Sequence, residues 1–147
     1  MKKLMVALMV ACAACLAKAD VEWSWWLDKE SARTDISLGI VSRCQAVDTL
    51  ELSLFYSGSP VANGLQFTFI GLNDSEATCP LQMAFLNRGK EPCVQLGFVN
   101  LNKKAVFDMG FANISDDAKF QLGFLNFNKK GFLPVFIIVN FNPEIFK

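Results

Sequence analysis

Few side chains in this 147-residue chain have the chemistry of a reactive site. There is no histidine, which removes Ser-His-Asp and Cys-His catalysis and imidazole metal ligation. Cys12 and Cys15 lie in the first 19 residues, and Cys44, Cys79 and Cys93 follow. Three scattered cysteines do not make a zinc site. Cys79 and Cys93 stand just before successive similar segments and are the candidates for a disulfide. Cys44, the odd one, is left unpaired or for another chain. Asp116–Asp117 has the look of a catalytic or calcium-binding carboxylate pair. Lysine pairs occupy the equivalent places on either side, which makes a solvated turn the simpler reading. The glycines are dispersed at repeat spacing and form no phosphate loop. The expectation is therefore no catalytic residue, no metal and no cofactor.

The other conspicuous chemistry is aromatic. All three tryptophans, Trp23, Trp25 and Trp26, fall within "VEWSWWLDKE" (21–30). They suit an N-terminal strand or cap over residues 20–35, or contact with a membrane interface, where tryptophan is favoured. Stacking on sugars is a third use.

The elements that position these residues are repeats. Anchored on the small residue of "VQLGFVN" (94–100), eight segments recur, starting at 36, 50, 65, 81, 94, 107, 120 and, shortened, 135. Within each, apolar and small or polar residues alternate: Val94, Leu96 and Phe98 against Gln95, Gly97 and Val99. A period of two with β-branched and aromatic enrichment means strand, and the polar linkers are rich in turn formers. The chain is all-β. A parallel β-solenoid of about eight short coils over residues 36–147 is expected, with an eight-stranded antiparallel outer-membrane barrel as the alternative.

Three features favour the solenoid. At equivalent turns the charges run Lys90–Glu91, Lys103–Lys104, Asp116–Asp117, Lys129–Lys130, and neighbouring coils about 4.8 Å apart would pair opposite signs. Gln82, Gln95 and Gln121 share one position, and Asn87, Asn100, Asn113 and Asn126 another, so stacked amides can bond along the axis. Cys79 and Cys93 would lie in adjacent coils. The plainer reading of these ladders is structural, the small residue leaving room inside and the asparagine tolerating a left-handed turn. Functional solenoid faces carry exposed threonine or aromatic rows, and only Thr68 occupies such a slot.

Residues 1–19 read as a secretory signal: Lys2 and Lys3, a short apolar run, and Ala17–Lys18–Ala19 before Asp20. A lipidated Cys12 or Cys15 is the rival use of the same segment. Removing it leaves 11 basic and 14 acidic residues, a charge of −3, with no basic stripe for nucleic acid. Export allows disulfides to persist. The run of "[VLF]QLGF[VL]N" units with the closing "NKKGFLPVFIIVNFN", over residues 65–142, resembles bacterial exported surface-repeat proteins of the leptospiral type, with tandem GxQxGxxN units of about 13 residues. The resemblance implies an envelope-associated or surface repeat protein and carries over no catalytic residue. The expected function is a non-enzymatic structural or interaction module of the envelope, in the periplasm, outer membrane or cell surface. Its partner would be another envelope component or a second copy, with membrane contact through the tryptophans. A small outer-membrane barrel is the alternative.

Overall fold

The computed structural model describes residues 20–24, 33–76 and 79–146. The segment read as a signal, with Cys12 and Cys15, lies outside them, as do Trp25 and Trp26. The strands are β1 (Val21–Ser24), β2 (Thr34–Ser42), β3 (Ala46–Gly58), β4 (Val61–Ala62), β5 (Leu65–Thr68), β6 (Leu72–Ser75), β7 (Leu81–Gly89), β8 (Val94–Asn128) and β9 (Val135–Phe141). A 3₁₀ turn at Pro143–Phe146 closes the chain.

From β2 to β8 each strand pairs in parallel with one a coil earlier. Ile36 sits beside Val21, Leu50 beside Ile36, Leu65 beside Leu50, Leu81 beside Leu65 and Val94 beside Leu81. The 35-residue β8 winds on at the 13-residue step, with Phe107 N–H donating to Cys93 O and Lys129 N–H to Ser115 O. The fold is a parallel β-solenoid of about five turns and not a barrel. An antiparallel barrel needs successive segments to alternate in direction, and these do not.

The turn count is below the eight expected, and both ends account for it. Segment 135–140 is not a further coil: β9 turns back and pairs antiparallel with Phe120–Phe127. β2 carries register shifts at Thr34/Ile36 and Gly39/Val41, so the first coils are less regular. The stack also begins earlier than residue 36, because β1 is already in parallel register with β2.

The small residue of each unit marks a close approach. A Cβ added to Gly110 would stand 2.2 Å from Gly97 O and 2.8 Å from Asn100 Nδ2, and one on Gly123 would stand 2.1 Å from Gly110 O. No described glycine has positive φ, so space and not conformational freedom requires glycine here. Gly110→Ala is expected to cost about 2 kcal/mol as an overpacked site, read as a lower urea midpoint.

The turns lie against each other as the charge series requires. Asp116 pairs with Lys129 at 2.6 Å, Asp117 with Lys130 at 2.9 Å, and Lys104 with Glu91 at 3.5 Å. The Lys130 hydrogen bond holds the Asp117 carboxyl below its usual range. The acidic pair's direct partners are thus the lysines one coil later. Asp116→Lys/Asp117→Lys should lower the thermal midpoint by a few degrees, and adding Lys129→Glu/Lys130→Glu should restore most of it. Both pairs are largely exposed, so the effect stays small.

Candidate functional site

The solenoid is built inside out. Gln82, Gln95, Gln121, Asn87, Asn100, Asn113 and Asn126 are all completely buried, and so are Gln66, Asn73, Glu51 and Asp108. Buried apolar side chains are few and small: Ile36, Cys44, Val47, Ala62, Cys79, Ala105 and Ala118. The large apolar residues point outward.

Two amide ladders fill the interior. In the first, Gln95 Nε2 donates to Gln82 Oε1 at 2.6 Å, Gln82 Nε2 to Gln66 Oε1 at 2.7 Å, and Gln66 Nε2 to Glu51 Oε2 at 2.7 Å. Every donation points toward the N-terminus, and the run ends on a carboxylate that can only accept when ionised. Ser42 and Ser59 donate to the other Glu51 oxygen. In the second ladder, Asn73 donates to Asn87 at 3.0 Å, Asn87 to Asn100 at 2.9 Å, Asn100 to Asn113 at 2.7 Å and Asn113 to Asn126 at 2.7 Å. These point toward the C-terminus. The second amide hydrogens of Asn87, Asn100 and Asn113 go to the carbonyls of Leu96, Met109 and Leu122. Stacked strands make this satisfaction complete, because an amide at a fixed position meets the same amide one coil on. The asparagines therefore serve in strands and not in left-handed turns; Ile138, at φ 69°, is the described non-glycine residue with positive φ.

Asp108 interrupts the glutamine run. It accepts from Asn102 Nδ2 at 2.9 and 3.0 Å and from Gln121 Nε2 at 3.4 Å. Burial pushes its pKa up to about 6 against these hydrogen bonds, and burial likewise raises Glu51. Gln121 Oε1, in the last parallel coil, is the buried side-chain acceptor without a partner among the described residues. It lies beneath Asn140 of β9 in register, where another coil's amide would otherwise donate.

The cysteines do not bridge. Cys79 and Cys93 are in adjacent coils, as Cys93 N–H donates to Cys79 O at 2.8 Å, yet both are thiols. The register is the reason: Cys79 is fully buried while Cys93 is half-exposed. Burial raises the Cys79 thiol to about 12, which keeps it inert. Cys44 is buried with its Sγ 3.5 Å from Ser37 Oγ, so it is not presented to a second chain. Thr68 is also buried, between Ser53, Ser57 and Asn73, and is no surface row.

The surface row is one the sequence reading missed. Phe85, Phe98, Phe111 and Phe124 stack face to face with ring centroids 4.9, 4.9 and 5.1 Å apart. Each keeps 45–60% of its surface exposed. Beside them run two further outward rows. One contains Leu65, Leu81, Val94, Phe107 and Phe120; the other contains Phe67, Met83, Leu96, Met109 and Leu122. β1 places Trp23, 68% exposed, in register with Leu38 of the second of these rows. The signal was present in the sequence as phenylalanine at the fifth position of five consecutive units, Phe69 to Phe124, of which the last four stack. Monomeric soluble proteins rarely expose a continuous apolar face of this extent. Comparison with protein-family models, curated proteins and solved structures gives no match.

Proposed function

We propose that this chain is an exported, non-enzymatic β-repeat protein of the bacterial envelope, working as an interaction module through its outward apolar face. The observation that carries this is the continuous aromatic and aliphatic surface over a sealed polar interior. The titratable groups with the largest burial effects, Glu51, Asp108 and Cys79, are locked inside the stack, where no substrate reaches them. The exposed side chains on the face are those of a contact surface. The secretory reading of residues 1–19 supports the location. Fractionation of the source cells tests the proposal: the protein is expected in the envelope fractions, and recovery in the cytosol would sink it.

A further inference from the structure

The occupant of the apolar face follows from how far that surface extends around each coil. The outward side chains of the first wall, Val94, Leu96 and Phe98 in one coil, are all apolar. The Phe row lies at its edge, and the chain then turns into the second wall. There Val99 and Leu101 point outward, followed one and two coils later by Ile114 and Phe127. The apolar surface thus covers the first wall, the edge and, over these last coils, the second wall, while in the two coils before them Arg88 and Asp74 take the outward place of Leu101. Most of the other charged residues of these coils lie at the Lys/Asp turns. Lys104 is six residues after Phe98 and seven before Phe111, halfway around a 13-residue coil, so the Lys/Asp turns form the edge opposite the phenylalanines. In cross-section the molecule is a wedge with an aromatic edge and an ionic rim.

We propose that this wedge seats on a lipid surface, Phe row first, with the ionic rim in water. The inference rests on the preceding reading that the apolar face is a contact surface, and it names the partner. A flat protein partner or a second copy laid on one wall leaves the other wall and the Phe edge in water. A lipid phase covers all three at once. Within the stack the wall backbone is hydrogen-bonded from coil to coil, so the walls present no unpaired backbone to hydrocarbon. Trp23, in the same outward row, is the residue type that settles at the headgroup level. The rim is largely self-neutralised by its Asp116–Lys129, Asp117–Lys130 and Glu91–Lys104 pairs. Attraction therefore comes from apolar burial and not from anionic headgroups, as for other helices and surfaces that lie in an interface.

The test uses the full chain and phosphatidylcholine vesicles, which carry no net charge. In density-gradient flotation at physiological salt the protein is expected to rise with the vesicles. Phe98→Ser/Phe111→Ser should weaken binding at least about tenfold, whereas Lys103→Gln/Lys104→Gln should leave it unchanged. The N-terminal apolar run is common to all three chains, so the comparison reads the face. A second measurement needs no change to the face. With Trp25→Phe/Trp26→Phe, Trp23 is the one indole left, and brominated phosphatidylcholine should quench it. Absence of flotation, equal binding by a folded Phe variant, or an unquenched Trp23 overturns the lipid assignment. A discrete dimer without flotation overturns it too, but leaves the contact-surface reading standing on a second copy. A monomer that neither floats nor captures an envelope component overturns both.

Discussion

Asn100→Ala is expected to destabilise the protein by about 3 kcal/mol, a large share of the total stability of a domain this size. Asn100 accepts from Asn87 and donates to Asn113 and to Met109 O. Truncation leaves the Asn113 oxygen without its donor and one Asn87 hydrogen without its acceptor, all at fully buried positions. Each unsatisfied buried group costs about 1–3 kcal/mol. Asn126→Ala removes only the final acceptor of the ladder and one bond to Gly123 O, so it should cost less. Asn100→Asp separates hydrogen bonding from shape. It keeps the volume and the acceptor but loses both donations, and should be as damaging as alanine at neutral pH. Urea midpoints of the three variants check the order. Equal small losses would mean that the interior is held by its backbone ladder alone.

Replacing Asp108 by glutamine should stabilise the protein by more at pH 8 than at pH 4. Asp108 occupies the position that Gln66, Gln82, Gln95 and Gln121 hold in other coils. Its folded pKa of about 6 lies above the ordinary 3.8, because burial penalises the carboxylate. The folded protein therefore binds the proton more tightly than the unfolded chain. The site's contribution is fully present below about pH 4 and is lost as pH rises through about 6. The difference amounts to about 3 kcal/mol at most. Glutamine carries no charge and can donate to Gln95 Oε1, joining the two runs. Urea titrations of both proteins at the two pH values give the answer. An equal difference at both would mean that the carboxylate is not the cause. Glu51, raised in the same direction, will leave a residual slope in both proteins.

Parallel stacking was legible because two independent signals agree: the 13-residue period and the alternating sign of charges at equivalent turns. Asp116 and Asp117 opposite Lys129 and Lys130 has no explanation in an up-and-down sheet. The orientation of the strands was harder to read. Alternation shows that Val94, Leu96 and Phe98 share a side, but not which side is inside. Burial statistics place phenylalanine in and glutamine out. Coils this narrow invert that rule, since the interior is about as wide as one amide bridge: Asn102 on one wall donates to Gln95 Oε1 on the other at 2.9 Å. Large apolar side chains then pack along the stack, ring on ring, instead of across a core. The Cys79–Cys93 pairing failed for a related reason, because adjacency between coils does not guarantee that two residues face the same side. The closing segment looked like another coil because β9 keeps the alternation, and direction leaves no trace in a period of two.

The opposed ladders have an electrical consequence. Every amide in the glutamine run carries its dipole one way along the axis, and every amide in the asparagine run carries it the other. Helices accumulate a field at their ends because all their peptide dipoles align. Here the two side-chain columns subtract, so adding coils adds no end charge from them. A family of such chains can vary in length by whole units without altering the potential at either tip. The length is set instead by where a strand like β9 reverses direction and takes the place of the next amide.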